Sequence, residues 1–273
     1  MTGASATLGL GTGVAVVLVL AGCAQGNATR AARTPVRTPS NPASSAASAT
    51  PTGGSPSAVR GTPPTNSPPN PARPTGTANP TAIFLSSVSA ITPAIRARMP
   101  YSWRPGCPVG LADLRYLTLS YLGFDRAVHR GEMVVHTSQA SAVVRALRSL
   151  FDAGIPIRQM RLVDAYHADD DASVAADNTS AYNCREVGGR PGVWSQHAYG
   201  VAIDVNPLEN PYVHSDGSVD IPASRPFVDR SRRDTGMIHS SDATVDAFAS
   251  IGWKWGGYWT SAKDYQHFSA TGR

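Results

Sequence analysis

The stretch richest in reactive side chains is Trp194-Ser195-Gln196-His197-Ala198-Tyr199-Gly200-Val201-Ala202-Ile203-Asp204-Val205. A strand over Val201–Val205 puts Val201, Ile203 and Val205 on one face and Ala202, Asp204 and Asn206 on the other. Ala202 is small enough to leave room for an ion beside Asp204, and Gly200 can turn the chain so that His197 returns over the same face. A neutral imidazole and a carboxylate suit Zn²⁺. Farther on, Asp264-Tyr265-Gln266-His267-Phe268 supplies a second histidine and a second carboxylate. A histidine and an aspartate alone are usually structural, but the second segment moves the balance to metal. His197, Asp204 and His267 would leave one position of a tetrahedral site open, as catalytic zinc requires. Asp264 is then spare, a candidate general base and acid for a water and a leaving amine.

These side chains need a scaffold. Residues 114–124 are aromatic and partly alternating, which predicts a strand, and 132–136 predicts another. Val143, Val144, Leu147, Leu150 and Phe151 recur at helical spacing, so a helix is expected over 138–153, capped by Thr137 or Ser138 and ended by Gly154. A short apolar segment at 83–95 reads as strand or helix, 160–165 as a strand, and 242–250 as a short helix ended by Gly252. Strands and helices mix without βαβ alternation. The expected class is α+β, one compact domain over 83–273 whose small antiparallel sheet carries the zinc site.

The charges locate the rest. Of 24 Lys and Arg and 19 Asp and Glu, five arginines precede residue 83 and no acid precedes Asp113, so the net charge of +5 belongs to the N-terminal tract. From 83 onward the chain is formally neutral, which argues against a nucleic-acid binder. Twelve prolines fall between Pro35 and Pro80 among Ser, Thr, Ala and Gly. With little to bury, residues 23–82 are expected to be a disordered tether. Residues 8–22 are apolar but too short and Gly-rich for a comfortable membrane span. They end at Leu20-Ala21-Gly22-Cys23, which resembles a bacterial lipobox. That resemblance implies a signal peptide over 1–22, a lipid on Cys23 and a domain tethered to a membrane in the cell envelope; an ordinary secretory signal is the alternative. In either case the chain is exported, and Cys107 and Cys184 are expected to pair as a disulfide.

The two reactive segments together are similar to the zinc D,D-peptidases and related murein endopeptidases. Ser195, His197, Gly200, Ala202 and Asp204 fit that superfamily's Ser-x-His-x-x-Gly-x-Ala-x-Asp signature, and Asp264, His267 and Phe268 fit its second one. The resemblance implies zinc on His197, Asp204 and His267, and Asp264 as catalytic acid and base. It implies hydrolysis of peptidoglycan stem peptides, of D-Ala-D-Ala carboxypeptidase or L-Ala-D-Glu endopeptidase type; separately, the chain is expected to be a monomer. It also implies an arginine that holds substrate. Arg185 is the candidate, with a surface arginine the competing reading, and Ser195 is a second candidate for substrate binding. A metal-containing wall-binding module without catalysis is the alternative function, and Asp264 argues against it.

Other features carry blander expectations. Asp169-Asp170-Asp171 reads as a solvated acidic turn. Trp253, Trp255, Tyr258 and Trp259 read as core packing before a sugar-stacking wall. His129, His136, His167, His214 and His239 read as surface or core, with His239 the best placed of them to line a site.

Overall fold

The computed structural model describes residues 83–273. The signal segment, Cys23 and the tract to residue 82 lie outside the described residues. Among the described residues no helix is long and apolar enough to cross a membrane.

Three strands, β1 (Ser86–Ala90), β2 (Leu114–Leu122) and β3 (Val128–His136), form an antiparallel sheet in that order. Between the first two lies α1 (Pro93–Ala97), started by Pro93 and capped by the Thr92 hydroxyl. The segment expected to be strand or helix is thus one followed by the other. Period-two alternation buries Leu117, Leu119, Met133 and Val135 on one face of the sheet. Against this face packs α2 (Ala140–Asp152), through Val143, Ala146, Leu147 and Leu150. Full burial of such side chains is worth about 1.5–3 kcal/mol each, so this layer anchors the shorter strands around it. The expected Thr137 or Ser138 cap is not used. Gln139 holds the capping position, and the Ser138 hydroxyl lies 2.8 Å from His136 Nδ1 instead.

The strand expected over 160–165 stops early. Only β4 (Gln159–Met160) forms, and it runs parallel to β5 (Asn178–Thr179). The Asn178 side chain accepts from Arg161 N at 2.9 Å and donates to Arg161 O at 3.1 Å, which ends the ladder. Val163–Tyr166 then coils as a 3-10 turn, with Asp164 accepting from the backbone of Tyr101 and Ser102. Between β4 and β5 sits α3 (Asp170–Ala175), capped by Asp169.

The rest of the chain builds two small antiparallel units. β6 (Ala202–Asp204), β8 (Lys254–Trp255) and β10 (His267–Ser269) form one, in the order β6-β10-β8. The other pairs β7 (Tyr212–Val213) with β9 (Lys263–Asp264). α4 (Ala243–Ala249) covers the first unit's inner side, where Phe248 stacks on Phe268 at 4.2 Å between ring centroids. Ile203 joins the same core. With Ile203 and Phe268 turned inward, Asp204, His267 and Ser269 are left on the opposite face of their strands. Asn206 does not continue that face: its backbone has φ of +46°, and its side chain ties Arg158 N and Pro156 O. The described residues therefore mix helices with small antiparallel sheets, and the reactive residues lie on and beside the smaller three-stranded sheet.

Candidate metal centre

Asp204 and His267 are register partners on β6 and β10. His267 Nδ1 lies 3.0 Å from Asp204 Oδ1. His197 arrives from a 3-10 turn, Gln196–Tyr199, that the Ser195 hydroxyl caps by accepting from His197 N at 3.3 Å. Gly200 ends the turn at φ of +67°, and a side chain there would put Cβ 2.6 Å from His136 N. Glycine is required on both counts, and the turn expected of it is present. His197 Nε2 then stands 3.1 Å from Asp204 Oδ2 and 3.3 Å from His267 Nδ1. Among the described residues these three are the group able to offer one metal donor each, all within 4.8 Å of one another, and all three are buried.

Each imidazole is fixed from behind. His197 Nδ1 is 2.6 Å from Ala181 O, and His267 Nε2 is 3.0 Å from Arg273 O. These main-chain oxygens accept, so both of these nitrogens donate, and the other nitrogen of each ring faces Asp204. The segment that carries Ala181 is held in place by Ser180, whose backbone exchanges both hydrogen bonds with Asp204 at 2.9 and 3.1 Å.

The electrostatics favour a cation. Burial resists charge on Asp204, but His197 and His267 hold its carboxyl well below the usual carboxylate range. Burial likewise resists charge on His267, yet the hydrogen bond and charge of Asp204 push it up to about 9. A carboxylate with two converging nitrogens thus stabilises positive charge at its centre, whether proton or metal, and the donor set fits Zn²⁺.

Around the centre opens a cleft of about 1030 Å³, large enough for a peptide segment. Asp264 lines it from β9, and burial pushes its carboxyl up to about 7. Its Oδ1 is buried without a hydrogen-bond partner. Gly256 allows this placement, since a Cβ there would sit 2.6 Å from Asp264 O. Arg185 also lines the cleft, and its guanidinium meets Asp170 at 2.7 Å. Cys107 and Cys184 form the expected disulfide, with Cα atoms 5.8 Å apart, which anchors the backbone next to Arg185. Ser195 lines the cleft while it caps the His197 turn.

Several expectations need correction. Asp169-Asp170-Asp171 is not simply a solvated turn, because Asp169 caps α3 while Asp170 enters the cleft. His239 is engaged with Asp242 and Arg232 O away from the cleft, whereas His214 lines it and pairs with Asp220 at 2.9 Å. Trp253 and Trp255 are core as expected, Tyr258 is exposed, and Trp259 borders the cleft with its ring centroid 5.7 Å from that of His267. Sequence reading missed Tyr212, opposite Asp264 on β7, and Gln266, whose buried Oε1 has no partner. Adjacency to the second motif was the available signal for Gln266; nothing marked Tyr212.

Residues 188–270 match the sequence family described as D-alanyl-D-alanine carboxypeptidase. That match supports the zinc D,D-peptidase superfamily for this segment. It spans both D,D-peptidase motifs, including His197, Asp204, Asp264 and His267, and leaves Asp170, Cys184 and Arg185 outside. No curated protein and no solved structure matches the chain.

Proposed function

We propose that this chain is a zinc metallopeptidase that hydrolyses peptide bonds of peptidoglycan stem peptides. The observation that carries the reading is the convergence of His197 Nε2, His267 Nδ1 and the Asp204 carboxylate inside a cleft that also holds the buried carboxyl of Asp264. Zinc held by these three residues supplies a Lewis acid for the scissile carbonyl and an acidified water. Asp264 takes a proton from water in its ionised form and returns it to the leaving amine, a role suited to a carboxyl raised to about 7. Arg185 binds a substrate carboxylate or carbonyl, with Asp170 holding the guanidinium in position until substrate arrives. Ser195 serves the site mainly through the His197 turn.

The lipobox-like residues ending at Cys23 and the Pro-rich tract after them support an exported, membrane-tethered protein that works on the cell wall. The family description favours removal of a terminal D-Ala, whereas Asp rather than Glu at 264 resembles the endopeptidase branch, which cuts between L-Ala and D-Glu. A synthetic stem pentapeptide incubated with zinc-loaded protein distinguishes them: free D-Ala marks the first, and a new D-Glu N-terminus the second. An intact pentapeptide and intact crosslinked muropeptides, with one zinc bound per chain, would overturn the peptidase reading.

A further inference from the structure

The turn that follows β10 reaches back to the metal centre. Ser269 is fully buried on the same face as His267. Its hydroxyl donates to Arg273 O at 2.8 Å and accepts from Gly272 N at 3.1 Å. Gly272 takes φ of +78°, which folds the backbone over on itself. The fold-back delivers Arg273 O to within 3.0 Å of His267 Nε2. Ser269 and His267 therefore share one acceptor, and that acceptor determines which nitrogen of His267 carries its proton.

We propose that the turn Ser269–Arg273 is a positioning element for His267, acting through the Arg273 main-chain oxygen with Ser269 holding that oxygen in place. The proposal rests on the metal reading of His197, Asp204 and His267. Its logic is physical: a ligating imidazole is oriented, and its basicity raised, by the acceptor on its far nitrogen, and loss of such a partner weakens metal affinity by about 10–100-fold. The other ligating imidazole has the matching arrangement, with Ala181 O in the place of Arg273 O. The two acceptors come from segments far apart in the chain, so each can be perturbed separately. The turn also has a packing contact, Trp259 Nε1 donating to Gly272 O at 3.0 Å, so the test must separate orientation of His267 from loss of packing.

Three proteins decide it: the unaltered chain, a chain stopped after Ala270, and Ser269→Ala. Zinc affinity is measured by competition with a chromophoric chelator, and the ligand field by the visible absorption bands of the cobalt-loaded forms. Circular dichroism checks folding. The stopped chain is expected to bind zinc about 10–100-fold more weakly, Ser269→Ala about 10-fold more weakly, both with shifted cobalt bands. Should the stopped chain fail to fold, Ser269→Ala decides alone. Unaltered affinity and cobalt bands in the folded variants would overturn the proposal. Failure of the unaltered chain to bind zinc would instead overturn the metal reading beneath it.

Discussion

Asp204 on β6 and His267 on β10 face each other across an antiparallel pair, with His267 Nδ1 and Asp204 Oδ1 3.0 Å apart. A strand register thus sets the separation of two proposed metal ligands, and a slip of either strand by one residue would turn its ligand to the other face. The third ligand, His197, hangs from a turn whose geometry depends on Ser195 and Gly200. Rigid pairing supplies two donors and a capped turn supplies the third.

The ligand and base roles separate by mutation. His197→Ala and His267→Ala are each expected to abolish stoichiometric zinc binding. Asp264→Asn is expected to keep one zinc and to lower kcat by about 100- to 10,000-fold. Native mass spectrometry of the three proteins reads the metal, and retention of zinc in either histidine variant would refute the ligand assignment.

The acid limb of the pH profile follows from Asp264. Burial raises its carboxyl to about 7, so the base form is lost as pH falls below that value. kcat/KM is expected to rise as pH increases through about 7, and Asp264→Asn to remove this limb from its residual activity. A limb that persists unchanged in the variant belongs to another group.

Gly200→Ala tests the turn. A residue with a side chain at φ of +67° is strained, and its Cβ would meet His136 N at 2.6 Å. A loss of about 1–3 kcal/mol in folding free energy is expected, together with weaker zinc binding. Urea unfolding and a zinc titration measure the two. Normal stability with normal zinc affinity would show that the close approach does not constrain the site.

A buried acid pair outside the cleft makes stability depend on pH. Burial, then the charge of Asp177, pushes Glu209 up from 4.5 to about 8. The folded chain therefore holds a proton there that the unfolded chain releases above about 4.5. The resulting stability is full below that pH and is lost as pH rises through about 8. Glu209→Gln is expected to flatten the fall in Tm between pH 5 and 9. Parallel Tm curves for variant and unaltered chain would contradict this.

The candidate ligands were legible in the sequence because metal chemistry demands particular side chains, and His197, Asp204 and His267 stand in two recognisable motifs. The core helix was legible from the spacing of Val143, Leu147 and Leu150. Other parts had no sequence signature. Ala181 and Arg273 meet the imidazoles through main-chain oxygens, which every residue possesses, so only the fold reveals them. Asp170 looked like one of three solvated acids because its partner, Arg185, is brought to it by the chain passing through Cys184. The strand expected over 160–165 failed for a similar reason: a side chain distant in sequence, Asn178, took the hydrogen bonds the ladder needed. Local pattern predicted the local elements, and long-range polar contacts decided where they ended.

The central claim is catalysis at the His197–Asp204–His267 centre with Asp264 as base. Its most direct test is digestion of purified muropeptides by zinc-loaded protein, with the new termini identified by mass spectrometry and Asp264→Asn run in parallel. The expected result is one defined cut peptide bond with the unaltered chain and cutting at least about 100-fold slower with Asp264→Asn. Muropeptides left whole by a protein carrying one zinc, or cut equally by both proteins, would contradict it.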